Sequence, residues 1–252
     1  MKPGKYFVID THCHLDEYYN FYACKPDLGS MVKTMDVLGI DKSCIAPCLA
    51  LYPDYKLGNK AMSDAVKKYK GRIYGYIVIN PHYPDEIEGE IKKYINQKNV
   101  IGIKIHPDCH DYPANGDNYK RMWELANEKK FVILIHTWEN ANSSPLFFEK
   151  ISEDYPELNI LLGHMGGTLK GNLQAIKVAK ARKNVFLEIT ASEPPFWMDE
   201  LLKLISADKV IFGTDSPFIG PESCYGRVAY SNISEEAKRK IFGLNFLKLI
   251  KK

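Results

Sequence analysis

The stretch YFVIDTHCH, residues 6–14, runs apolar as far as Ile9 and then ends on two histidines one residue apart, His12 and His14. The same construction recurs down the chain. VILIHT (132–137) stops at His136, NILLGHMGG (159–167) at His164 and VIFGTDSP (210–217) just before Asp215. Each run is short, rich in β-branched residues and apolar at consecutive positions, as a strand buried on both faces requires. Polar groups at successive strand ends are brought together only if the strands run parallel and close on one another, so that their carboxyl ends share one face.

Working outward, strands are expected at 6–10, 43–47, 73–79, 100–105, 131–136, 159–163, 185–190 and 209–213. Helical spacing fills the segments 59–70, 85–97, 118–129, 146–154 and 171–182. A last helix is expected at 234–250, opened by Ser234 as N-cap with Glu236 in its first turn. Eight strands alternating with helices predict an α/β fold, a single (β/α)8 TIM barrel spanning residues 1–252 as one domain, with its site at the C-terminal mouth. The glycines after the sixth strand, Gly163, Gly166 and Gly167, lack the spacing of a dinucleotide fingerprint.

At 252 residues the chain has the length of one such barrel. Its net charge of +3 is too mild for a nucleic-acid surface, and no apolar run is long enough to span a bilayer. Six cysteines without a CxxC pair do not make a disulfide scaffold. With no signal-peptide pattern, the expected location is the cytoplasm and the expected partner a small-molecule substrate. A homodimer is kept open as the assembly.

His12 and His14 stand at i and i+2, so a strand points both to one face and Cys13 away. Imidazoles and a carboxylate are the usual ligands of a zinc-like cation. Asp215 can both coordinate and carry a proton. Lys104 and His106 share a face of the fourth strand, in GIKIHP, and are expected to reach the pocket; a carbamylated, metal-bridging Lys104 is the alternative. Glu188, inside the seventh strand, suits a partner that orients a ligand histidine. Trp138 and Phe218 follow ligand-bearing strands and are expected to line the pocket. So are the aromatic segment Tyr18, Tyr19, Phe21 and Tyr22 and the turn Pro194-Pro195-Phe196-Trp197. Arg227 could pair a substrate carboxylate, with a surface role as its alternative.

Taken together, IDTHCH, MDVLGIDK, NPHYPDE, VIGIKIHP, ILIHT, LLGHMGG, FGTDSPF and GLNFLKLI resemble the amidohydrolase superfamily. The resemblance is to the amidohydrolase-2 branch, which holds the aminocarboxymuconate-semialdehyde decarboxylase-like enzymes. It covers nearly the whole chain and implies a distorted TIM barrel with one divalent metal, most often Zn2+, with Mn2+ as the other choice. By that resemblance His12, His14, His136 and Asp215 are the ligands, and His164 faces the bound water or substrate. The chain has no bridging carboxylate on its fourth strand, and its insertions are short. The resulting expectation is a hydrolase that splits a C–N or C–O bond of an amide, cyclic imide or lactone, with Asp215 and His164 catalytic. Non-oxidative decarboxylation of a small unsaturated or aromatic acid is the alternative, and it calls for a cationic clamp at Lys104 or Arg227. A barrel that keeps its metal but only binds a ligand is the third reading.

Overall fold

The computed structural model describes residues 5–20, 22–52, 54–191 and 197–250. Eight parallel strands lie in the order of the sequence: β1 (Ile9–Cys13), β2 (Lys42–Ile45), β3 (Ile73–Val78), β4 (Val100–Ile105), β5 (Val132–His136), β6 (Asn159–Gly163), β7 (Val185–Glu188) and β8 (Val210–Ile211). Around them run α1 (Leu28–Leu38), α2 (Cys48–Leu51), α3 (Tyr55–Lys68), α4 (Ile87–Tyr94), α5 (Lys120–Lys129) and α6 (Phe147–Asp154). The chain continues with α7 (Leu169–Ala181), α8 (Trp197–Leu204), α9 (Pro221–Ala229), α10 (Glu235–Arg239) and α11 (Asn245–Ile250). This is a (β/α)8 TIM barrel. No described helix is long and apolar enough to cross a membrane, and all six cysteines are free thiols.

Two apolar layers follow from strand alternation. Val132, Leu134, Leu161, Tyr76, Val78 and Ile211 belong to one buried cluster inside the barrel. Ile103, Ile105, Ile133 and Ile135 belong to another, shared with helix residues such as Met62, Met122 and Phe148. The same parity carries Lys104 and His136 to the inner side, two residues on from Gly102 and Leu134.

Several boundaries differ from the sequence reading, and three of the differences shape the site or the closure of the barrel. The first strand is Ile9–Cys13 rather than 6–10, so the histidine pair begins inside it. A register irregularity between Asp10 and Cys13 lets this strand bend at that point. The eighth strand is only Val210–Ile211. Beyond it the chain leaves β7 for β1: Phe212 O accepts from Thr11 N (3.2 Å) and Thr11 Oγ1 (2.8 Å), Asp215 N donates to His12 O (2.7 Å) and His14 N to Ser216 O (2.7 Å). Those bonds close the barrel. The final helix is interrupted by a π-helical stretch, Lys240–Leu244, where Ile241 O accepts from Phe212 N (3.1 Å). Helices α1, α2, α8 and α9 lie outside the helical segments named from the sequence; α1 is capped by the Asp27 side chain on Ser30 N and stopped at Gly39, whose φ is 72°.

Candidate metal centre

His12, His14 and Asp215 each turn one ligand atom into a common space, all within 4.8 Å of one another. The closest approach is His14 Nε2 to Asp215 Oδ1, 3.1 Å, with His12 Nε2 3.6 Å from the same oxygen. Both histidines are held from behind. His12 Nδ1 lies 2.7 Å from Glu188 Oε2, and His14 Nδ1 2.7 Å from Ala46 O. A carbonyl can only accept, so His14 carries a proton on Nδ1, and Nε2 is the nitrogen turned to Asp215. An acceptor behind each imidazole, with the other nitrogen turned to a shared space, is how metal-ligating histidines are set. Nitrogen and oxygen donors of this kind fit a divalent ion.

Glu188 is fully buried, and burial pushes its carboxyl up to about 7. Thr190 donates to it from N (2.8 Å) and from its hydroxyl, and His164 N from 3.3 Å. Gly213 makes this approach feasible: a Cβ there would lie 2.3 Å from Glu188 Oε1 and 2.9 Å from His12 Cβ.

Lys104 is fully buried on β4, with Nζ 2.9 Å from His12 Nε2; contrary to the sequence expectation it is not among the cavity's lining residues, because it sits beneath the histidines of the floor. Burial brings its ammonium down to about 8, against the opposing pull of Asp215 and Glu188. His164 packs against the rings of both His12 and His136, at centroid distances of 4.9 and 4.7 Å. Burial, reinforced by His136, lowers His164 to about 3, so its imidazole is neutral. Its Nδ1 is buried and has no partner among the described residues. Burial also raises Asp215, but its contact with His14 and the nearby His164 and Lys104 outweigh that, leaving the carboxyl below its ordinary value. His164 and Asp215 both adopt left-handed backbone, φ 60° in each, a costly conformation for residues with a Cβ.

A cavity of about 400 Å³ opens above the cluster. His14, His136, His164 and Asp215 form its floor; Tyr18, Trp138 and Phe218 are among its walls. Phe218 stacks on His14 (5.4 Å), and Gly167 lies so close under Trp138 that a Cβ would come within 2.2 Å of the indole.

The remaining predicted residues fall in different places. His136 is in the cavity but outside the three-residue ligand group: its Nε2 is 3.2 Å from Asp108 Oδ2, and its ring stacks on His106 at 3.8 Å. His106 lines the cavity, with Nδ1 accepting from Cys109 N (3.2 Å). Arg227 lies on α9 with Nη2 3.2 Å from Cys224 Sγ and is not among the cavity's lining residues. Tyr18 and Tyr19 line the cavity, and Tyr22 is 93% exposed. Phe21 and Pro194-Pro195-Phe196 lie outside the described residues, and Trp197 opens α8. Sequence reasoning passed over Asp108 and Cys109 on the cavity wall. Asp108 lies only two residues beyond His106, so the strand-end rule that found the histidines reaches it as well.

A family model described as Amidohydrolase matches residues 9–251. An uncharacterized metal-dependent hydrolase of Buchnera aphidicola subsp. Baizongia pistaciae is 26% identical over 235 residues, covering 85% of this chain and 80% of that one. The gamma-resorcylate decarboxylase of Rhizobium sp. is 21% identical over 314 residues, covering 99% of this chain and 91% of that one. Among solved structures, 5-carboxyvanillate decarboxylase from Novosphingobium aromaticivorans, complexed with manganese and 4-hydroxy-3-methoxy-5-nitrobenzoic acid, has the same fold. Its TM-score is 0.79 at 18% identity, over 98% of this chain and 97% of that one.

Proposed function

The chain belongs to the amidohydrolase family of metal-dependent enzymes, and from that premise we propose that it removes CO2 without oxidation from a small aromatic or unsaturated carboxylic acid. Of the two chemistries expected from the sequence, this one needs a cation that holds a carboxylate at the reacting centre. The observation that carries it is Lys104, a buried ammonium group 2.9 Å from His12 Nε2. Neither expected clamp is among the cavity's lining residues, but Lys104 touches the ligand histidine His12, whereas Arg227 lies on α9 against Cys224. The likeness to gamma-resorcylate decarboxylase along 99% of the chain supports the same reading.

A divalent ion held by His12, His14 and Asp215, with His136 as fourth ligand, would supply positive charge to bind the substrate's carboxylate and steady the electrons left on carbon. Lys104, buried beneath the ligand group at His12, adds a second positive charge under the carboxylate. Tyr18, Trp138 and Phe218 enclose an aromatic or unsaturated body and keep water from the carbon. As the carbon–carbon bond breaks, its electron pair stays on the substrate carbon and CO2 leaves. Asp215, having taken a proton from solvent, delivers it to that carbon and returns to its anion, so one proton is consumed per turnover. His164, neutral and on the cavity floor beside Asp215, is placed to hydrogen-bond the substrate. The manganese-bound solved relative supports Mn2+ beside Zn2+ as the ion.

The test is CO2 release from a panel of hydroxybenzoates and unsaturated acids by protein loaded with Mn2+ or Zn2+, with Asp215→Asn as control. CO2 formed by the wild type and lost in the variant is expected. Turnover of lactones or amides with no CO2 from any acid would instead favour hydrolysis, the reading supported by the name of the 26% identical relative.

A further inference from the structure

The cavity wall carries a carboxylate to which the mechanism above gives no role. Asp108 Oδ2 lies 3.2 Å from His136 Nε2 and accepts a 2.7 Å hydrogen bond from Ser143 Oγ. Ser143 Oγ is itself fixed by Trp138 N at 3.0 Å. The imidazole of His136 is also clamped in plane, stacked on His106 at 3.8 Å with 12° between the rings. His106 is tied to the same loop by the 3.2 Å bond from Cys109 N. Two direct contacts, each braced in turn by a further hydrogen bond, thus fix one ring that stands at the end of β5, beside His164.

A carboxylate accepts and cannot donate, so the proton of a neutral His136 belongs on Nε2 and the lone pair on Nδ1. Burial keeps His136 neutral by lowering it, although Asp108 pulls the other way. Burial alone would raise Asp108, but the contacts with His136 and Ser143 hold its carboxyl below the ordinary value.

We propose that Asp108 is the positioning residue of His136, holding its imidazole in the Nε2–H form so that Nδ1 is the nitrogen offered to the ion of the His12, His14 and Asp215 group. The inference rests on the metal site of the proposed function but not on the reaction assigned to it. Ser143 acts one step further out, by keeping the carboxylate turned to the ring.

The experiment measures the dissociation constant for Mn2+ and Zn2+ by chelator competition, together with the melting temperature of the metal-free protein. Asp108→Ala should weaken metal binding about 10–100-fold, the usual effect of removing a carboxylate behind a ligand histidine. Asp108→Asn, which keeps an acceptor for Nε2–H, should recover most of the affinity, and the metal-free melting temperatures of the two variants should agree. Wild-type affinity in Asp108→Ala overturns the proposal. So does an equal loss in Ala and Asn variants accompanied by a matching fall in metal-free melting temperature, which marks a contact that only supports the loop. If Asp108→Ala does not fold, Ser143→Ala decides: a several-fold weakening is expected, and an unchanged constant overturns the assignment. A wild-type protein that binds neither ion sinks the proposed function itself, an outcome separate from these.

Discussion

The Nζ of Lys104 sits 2.9 Å from His12 Nε2, at the same nitrogen lone pair that a divalent ion would take. In the metal-free protein the lysine therefore stands in for the ion, its charge offsetting Asp215 and Glu188. An ion that takes that nitrogen displaces the lysine from it, and on the proposed function the freed charge acts on the substrate's carboxylate.

Lys104→Met separates these two roles. Met retains the volume of the buried stem and removes the competing charge, so metal should bind at least as tightly as in wild type. Turnover of a carboxylic acid should fall by about 100-fold or more, in line with the loss of a charge held against the reacting group. Metal content and kcat/KM measured on one preparation check both. Undiminished turnover would mean that Lys104 is no clamp.

Glu188→Ala should weaken the ion from the other side of the same histidine. It removes the 2.7 Å partner of His12 Nδ1 and leaves His164 N and Thr190 without their acceptor. We expect about a 10–100-fold loss in metal affinity, with a smaller loss for Glu188→Gln, which still accepts at the same place. Isothermal titration of the metal-free variants provides the measurement.

Gly167 has φ 71°, and a Cβ on it would overlap the indole of Trp138. Gly167→Ala should cost about 1–3 kcal/mol in stability from backbone strain alone and displace Trp138 from the cavity wall. The consequence for catalysis is a raised KM, with a changed tryptophan emission in the folded protein. Wild-type values of both would show that the wall can give way without loss.

His110 supplies a pH dependence away from the metal centre. Its ring is buried, with Nδ1 3.4 Å from Tyr119 Oη, and burial lowers it to about 4 from an ordinary 6.5. The unfolded chain therefore takes up the proton first. The stability that the neutral ring allows is intact above pH 6.5 and is lost as the pH falls toward 4, by up to about 3 kcal/mol. Urea midpoints at pH 7 and 4.5 should differ less in His110→Gln than in wild type. An equal difference would show that other groups carry the acid sensitivity.

The barrel and the places of its histidines were legible because one signal, an apolar run that stops on a polar residue, encodes both. Parity within GIKIHP likewise put Lys104 inside. Arg227 shows where this ends. It follows Asp215 closely in sequence, but α9 carries it away from the cavity lining, and nearness along a chain does not fix the direction of a helix. The Asp108–His136 contact joins the loop after β4 to the end of β5, and its 3.2 Å separation is set by how that loop packs. The short eighth strand escaped for a related reason. Phe212 is as apolar as Ile211, yet its carbonyl bonds to Thr11 instead of continuing along β7.

That last exchange joins the two ends of the fold. Asp215 N reaches His12 O, and His14 N reaches Ser216 O, so the backbone seam that turns an open sheet into a cylinder is built from the ligand-bearing residues themselves. About 200 residues lie between the two sides of that seam. A bond across it forecloses far more freedom of an unfolded chain than one within a single hairpin, the logic by which a disulfide staples a long loop. Any ion gripped jointly by His12, His14 and Asp215 is then a rivet in the wall of the cylinder, and chelation should loosen the first and last strands together before the six between them.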